Sequence, residues 1–153
     1  MEFLSFSTPF GEMALGEEDG TIVRLYLPNT PVPRLMPHET PLLAEGRRQV
    51  LEYLAGERRV FDLPLAPQGT SFQKRVWTAV GEIPYGQSRT YGEIALAVGC
   101  PKGFRAVGIA CNRNPIPIMI PCHRVVGAGG ALTGYAGGAE LKKALLDLEQ
   151  KNG

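Results

Sequence analysis

"TYGEIALAVGCPKGFRAVGIACNRNP", residues 90–115, carries the pattern on which the fold turns. Thr90 and Glu93 stand three apart ahead of an apolar run, the spacing of a capping box, in which each side chain satisfies the other's backbone N–H at a helix start. A helix over about 91–98 follows, and Gly99 ends it. Pro101 suits the opening of a second helix over roughly 102–112, with Phe104, Val107 and Ala110/Cys111 on one face. Phe104 is therefore expected in the core. Two short helices joined by a glycine-containing turn, the second with Lys102 and Arg105 near its start, read as a helix-turn-helix.

Downstream lies "NPIPIMIPCHRVV", residues 114–126. Pro115, Pro117 and Pro121 recur too often for a helix, so the segment is expected to be extended, with its apolar side chains buried. Cys122 and His123 stand side by side in it. A thiolate is the reactive form of cysteine, and a histidine can accept the thiol proton. In a strand, however, adjacent side chains point to opposite faces, so direct contact needs a non-extended backbone or a bridging water. A histidine base also needs a third group to set its tautomer. The carboxylates of this half are Glu82, Glu93, Glu140, Asp147 and Glu149. On the residues alone, the favoured reading is that Cys122 is a small buried hydrophobe and His123 a satisfied polar residue. "VVGAGGALTGYAGG" suits a tight loop or small wing, and "AELKKALLDLEQ" a last helix with Leu141, Leu145 and Leu148 toward the core.

Upstream, "SFQKRVWTAVGEIPYG" reads as a helix that Ser71 can cap, with Phe72, Val76, Trp77 and Val80 on one face and Trp77 in the core. "APQGTS", 66–71, reads as a linker, which sets domains at 1–66 and 67–153. Before it, "GEMALG" and "TIVRLYLP" read as strands around an Asp19-Gly20 turn. A helix capped by Thr40 and opened by Pro41 runs through Leu43, Val50 and Leu54 until Gly56. "VFDLPL" is expected to be a strand, because Phe61, Leu63 and Leu65 alternate. This first domain is a small α+β unit without a catalytic constellation.

Composition narrows the classes. The 153 residues are 44% hydrophobic and 20% charged, as in soluble globular proteins. No apolar run approaches the roughly 20 residues of a membrane span, and the start lacks a signal peptide, so a cytoplasmic chain without a membrane partner is expected. Three cysteines make no disulfide framework, and with no C-x-x-C and only two histidines a four-ligand zinc site is not expected. Residues 1–69 hold 6 Lys and Arg against 10 Asp and Glu, and residues 70–153 hold 10 against 5. A basic half in a near-neutral chain suggests a polyanionic partner, with Lys74, Arg75, Arg89, Lys102 and Arg113 as candidates.

Together "GTSFQKRVW", "IPYGQSRTYGEIA", "PKGFRAVGIACNRNPIPIMIPCHRVV" and "GYAGG" closely resemble the O6-alkylguanine-DNA alkyltransferases, or methylated-DNA–protein-cysteine methyltransferases, of bacterial type. The likeness runs from about Gly69 to Glu149. It implies a ribonuclease-H-like N-terminal α+β domain and a winged-helix-like C-terminal domain with a helix-turn-helix. It implies a monomer without cofactor, bound to double-stranded DNA through the minor groove; some relatives bind zinc in the N-terminal domain, but this chain has no cysteine there, so no metal is expected. The implied reaction flips an alkylated guanine out of the duplex and moves its alkyl group irreversibly to Cys122, once per molecule. By the same resemblance His123 takes the thiol proton through a water, Glu149 orients His123, Tyr91 helps protonate the leaving guanine, and Asn114 braces the loop. Arg105 enters the stack where the base has left. The implied DNA surface comprises Arg89, Thr90, Lys102, Gly103, Phe104, Arg105 and Arg113, and the implied base pocket Tyr91, Val125, Tyr135 and Ala136. Ala136 stands where some relatives have serine, and Gly103-Phe104 where many have small residues, so Phe104 either packs inward, as the face it shares with Val107 and Cys111 favours, or wedges against the duplex. Two other readings are a non-catalytic binder of alkylated DNA, against which Cys122 argues, and a Cys-His hydrolase, which would turn over.

Overall fold

Asp19 (φ 50°) and Gly20 (φ 76°) reverse the chain with two successive left-handed residues, the geometry that matches the twist of a tight hairpin. They join β2 (Gly11–Glu18) to β3 (Thr21–Tyr26), and β1 (Glu2–Thr8) pairs with the other side of β2, giving an antiparallel sheet in the order β1-β2-β3. Helix α1 (Pro41–Leu54) covers this sheet and buries Leu43, Val50 and Leu54. A Cβ at Gly46 would stand 2.8 Å from Leu15 Cδ1, so glycine permits the close approach of helix to sheet. Thr40 caps α1 by accepting from the Leu43 N–H at 3.0 Å, and Gly56 follows it at φ 78°. The expected strand "VFDLPL" does not form. Leu65 makes an isolated bridge to Ile22, and Pro64, which has no N–H to donate, interrupts any longer ladder.

The computed structural model describes residues 1–132 and 134–153, and the chain divides into units Met1–Gln68 and Gly69–Gly153. Among the described residues no helix is long and apolar enough to cross a membrane. The second unit begins with α2 (Ser71–Gly81). Its cap is Thr70 rather than Ser71: Thr70 Oγ1 accepts from Gln73 N–H at 3.1 Å, and Gln73 Oε1 accepts from Thr70 N–H at 2.9 Å. Val76, Trp77 and Val80 are buried, and the Trp77 indole donates to the Ala110 carbonyl at 2.9 Å. That bond ties α2 to α4 (Phe104–Asn112). Between them runs α3 (Tyr91–Ala97), and the Thr90–Glu93 capping box forms as read.

Three expectations fail here for physical reasons. Helix α4 starts at Phe104, with Gly103 as its cap residue. Phe104 therefore stands in the first turn, beyond the reach of the core, and is 51% exposed, whereas Val107, Ala110 and Cys111 are buried. Residues 114–124 are buried but not extended, and only Val125–Val126 form strand. Ile118 adopts φ 73°, a costly conformation for a β-branched residue, and Ile120 N–H donates back to Ile116 O at 2.9 Å. Cys122–Arg124 is one 3-10 turn, closed by Arg124 N–H to Pro121 O at 2.9 Å. In α5 (Ala139–Asn152) the buried stripe is Lys142, Leu145 and Glu149, while Leu141 and Leu148 are half-buried. The helix is turned by one residue because two charged groups have partners inside. A two-residue parallel pair, β4 (Arg89–Thr90) with β5 (Val125–Val126), joins the entry of α3 to the exit of the 3-10 turn.

Candidate active site

The compact turn that replaces the expected strand presents Cys122. Asn114 holds it together: its Oδ1 accepts from Ile116 N–H at 2.9 Å, and its Nδ2 donates to Ile120 O at 2.8 Å and to Cys122 Sγ at 3.2 Å. Cys122 is 1% exposed. Burial pushes its thiol well above the usual range and neighbouring Cys111 adds to this, while the Asn114 N–H and the charge of Lys142 pull the other way. The thiol is thus protonated at rest. Because residues 122–124 form a 3-10 turn, successive side chains diverge by about a third of a turn instead of the half turn of a strand. The geometric objection to a Cys122-His123 partnership therefore weakens.

His123 and Glu149 are both wholly buried. His123 Nε2 lies 2.7 Å from Glu149 Oε2. The same carboxylate accepts from Arg124 Nε (2.8 Å) and Nη2 (3.0 Å) and from Gly86 N–H (3.1 Å). Four donors fill the carboxylate's acceptor sites, which makes the buried charge tolerable. An ionised acceptor at Nε2 requires that nitrogen to carry the proton, so the lone pair of neutral His123 lies on Nδ1. Burial lowers the pKa of His123 despite Glu149, so the imidazole is neutral. Arg124 also donates to Ile83 O at 2.8 Å and lies over the Tyr85 ring.

A second buried ion stands beside Tyr91. Lys142 Nζ donates to the Tyr91 hydroxyl oxygen at 3.2 Å and lies 5.4 Å from the ring centroid. Burial lowers its pKa, and Cys111 and Cys122 oppose this. Tyr135 meets His123 edge-on with ring centroids 6.4 Å apart. Its buried hydroxyl has no hydrogen-bond partner among the described residues, and burial raises its pKa. Val125 is buried and Ala136 exposed.

Residues 71–151 match the family model described as 6-O-methylguanine DNA methyltransferase, DNA binding domain. Over 97% of its length the chain is 49% identical to the constitutive methylated-DNA–protein-cysteine methyltransferase of Bacillus subtilis, of which it covers 94%. The chain belongs to the methylated-DNA–protein-cysteine methyltransferase family. It is also 49% identical, over 97% of its length and 98% of the relative, to the methyltransferase of Methanosarcina acetivorans. Among solved structures, Mycobacterium tuberculosis OGT in complex with DNA superposes with a TM-score of 0.92 at 40% identity, covering 99% of this chain and 94% of that one.

Within this methyltransferase fold, two buried pairs, Asn114 with Cys122 and His123 with Glu149, meet at the 3-10 turn that carries Cys122 and His123. Tyr91 stands against α4, since a Cβ at Gly108 would meet its ring at 3.9 Å. Lys102, Arg105 and Arg113 are exposed, and Arg89 and Thr90 half-buried, at or beside the helix pair. Phe104 lies on the exposed side with them, not in the core. Arg124, Lys142 and Gly86 escaped the sequence reading. Lys142, Leu145 and Glu149 do follow helical spacing, so the stripe is visible once charged residues are allowed on it. With Arg124 and Lys142 buried, along with Glu149, the second unit still turns eight cations against four acids outward.

Proposed function

We infer that this chain is a DNA-repair methyltransferase that removes the alkyl group from O6-alkylguanine by transferring it to its own Cys122, once per molecule. The observation that carries the reading is that the Asn114–Cys122 and His123–Glu149 pairs are buried at one 3-10 turn in a chain of this family. A thiol 1% exposed reaches a base in a duplex only if the base leaves the stack, so the substrate is flipped into the site from the minor groove. Cys122 Sγ attacks the alkyl carbon, a carbon–sulfur bond forms and the carbon–O6 bond breaks. The thiol proton passes through a water to the Nδ1 lone pair of His123. Glu149, held by Arg124, fixes the tautomer and steadies the imidazolium. The Tyr91 hydroxyl gives a proton to the departing guanine, which leaves poorly as an anion.

Lys142 deepens this assignment. An ammonium can only donate, so in the pair with Tyr91 the phenolic oxygen accepts and the phenol proton points away from Lys142. Val125, Tyr135 and Ala136 supply the base pocket, and a buried hydroxyl without a partner among the described residues, as at Tyr135, suits a pocket that a polar base enters. Arg89, Thr90, Lys102, Gly103, Arg105 and Arg113 form the DNA surface, with Arg105 filling the vacated stack. The protein acts as a cytoplasmic monomer, and residues 1–66 form the ribonuclease-H-like domain ahead of it.

The test is stoichiometry. Mixed with duplex DNA holding one O6-methylguanine, the protein gains one methyl group, mapped by mass spectrometry to Cys122, and restores one guanine per molecule. Repeated turnover, which a Cys-His hydrolase would give, or repaired DNA with Cys122 unmodified would overturn the reading. Binding of the lesion with no transfer would establish the non-catalytic binder instead.

A further inference from the structure

Phe104 is out of place by the rules of its own helix. The turn from α3 to α4 is built of small or exposed residues: Gly99 at φ 81°, Cys100, Pro101, Lys102 and Gly103. A Cβ at Gly103 would stand 3.1 Å from Cys100 Cβ and from Cys100 O, so no larger residue fits there without a shift. From this lean turn a phenyl ring projects, 51% exposed. Leaving so large an apolar surface in water forgoes burial worth keeping unless a partner covers it.

Its neighbours define the partner. The guanidinium carbon of Arg105 lies 6.0 Å from the Phe104 ring centroid, so ring and cation stand side by side at the helix start. One turn along the same edge is Gly108, whose Cβ position faces the Tyr91 ring at 3.9 Å. Phe104 thus occupies the edge of α4 turned toward the site, at the end away from Tyr91. Ile109, 58% exposed, lies one turn beyond Arg105 on the outward face. Exposed Lys102, Arg105 and Arg113 surround these apolar groups. Cations with interspersed apolar groups fit a groove of nucleic acid, where phosphates meet the charges and sugars or base faces meet the rings. The whole of α4 lies inside the stretch that matches the DNA-binding domain model.

We propose that Phe104 is a wedge that enters the base step beside the damaged nucleotide from the minor groove, while Arg105 occupies the place of the extruded base. Apolar side chains inserted at a step unstack it and kink the duplex, which lowers the work left for extrusion. The ring and the guanidinium then act on adjacent positions of one strand: one opens the stack and the other keeps it open. This rests on the repair reading given above.

The experiment uses the full chain, a duplex with one O6-methylguanine, and 2-aminopurine in the flanking position as a reporter of unstacking. Wild type brightens the reporter on binding. Phe104→Ala loses most of that rise, and its ratio of duplex to single-strand methyl uptake falls about tenfold, because a single strand has little stacking to open. Phe104→Leu restores part of both, and the melting temperature of either variant stays near that of wild type. An unchanged reporter signal and rate ratio in Phe104→Ala would overturn the wedge. So would a lowered melting temperature with equal losses on both substrates, which marks a core residue, or a loss confined to self-association on DNA in sedimentation, which marks a contact between copies. Failure of wild type to take up any methyl group would overturn the repair reading itself, and is thereby distinct from a normal wild type with an unaffected variant.

Discussion

Two arginine–carboxylate networks in this chain use the same chemistry and reach opposite ends. On α1, Arg48 bridges Glu45 and Glu52, and Arg58 joins Glu52 at 2.8 Å. Hydrogen bonds from Arg48 and then Gln49 hold Glu45 down to about 2. Its charged groups keep part of their surface in water, where competing solvation and side-chain entropy cancel most of the attraction. On α5, Glu149 takes Arg124, His123 and Gly86 N–H while wholly buried. There the ion pair adds little net stability over an apolar substitute, but loss of one partner strands the other. The lesson is that the surface network decorates a helix, whereas the buried one sets where a histidine nitrogen points.

The largest effect should come from cutting the buried network. Glu149→Gln leaves Arg124 charged and uncompensated, so urea unfolding should show a loss of about 3–5 kcal/mol and methyl uptake should slow by about 10²-fold or more. Adding Arg124→Met should return most of the stability and none of the rate. If the rate returned with the stability, Glu149 would be a structural residue and the contrast would collapse.

The next effect belongs to Lys142. Lys142→Met removes a buried amine that donates to Tyr91 and favours the Cys122 thiolate. Methyl uptake should fall about tenfold and iodoacetamide labelling of Cys122 should slow with it, while thermal melts hold or rise. An unchanged labelling rate would show that Lys142 does not act on the sulfur.

The pH response should also come from the buried side. The folded chain releases the His123 proton more readily than the unfolded chain, because burial lowers its pKa below 6.5. Below about that pH the unfolded state binds a proton that the folded state refuses. Stability should therefore fall as pH drops through this window, by at most about 1.4 kcal/mol per pH unit. A flat profile between pH 7 and 5 would contradict it. The smallest effect is on the exposed network: Glu45→Gln should leave the melting temperature and methyl uptake within experimental error at neutral pH.

The same contrast explains what the sequence yields. Thr90 and Glu93, Asp19 and Gly20, and Thr40 with Pro41 act through local backbone chemistry, and each forms as read. Cys122 and His123 stand out as a pair, but Glu149 enters through resemblance, since nothing local marks a carboxylate that closes 26 residues away. Arg124 and Lys142 were missed because a charged residue is ordinarily assigned to the surface, and only their partners make burial tolerable. Residues 114–126 read as a strand because prolines exclude a helix without disclosing a turn, and a β-branched Ile118 argues against the left-handed conformation it adopts. Phe104 shares its helical edge with the core and falls short of it only because α4 begins there.

The short parallel pair between Arg89–Thr90 and Val125–Val126 has a further consequence. Thr90 caps α3, and Val125 follows the turn that carries Cys122 and His123. The outward-facing helix pair and the nucleophile are thus registered to each other by main-chain bonds, which do not depend on what the side chains are. A substitution on the outward face of α4, such as Phe104→Ala, should therefore leave the sulfur where it is. The position of Cys122 is thereby insulated from changes in the outward side chains of α4.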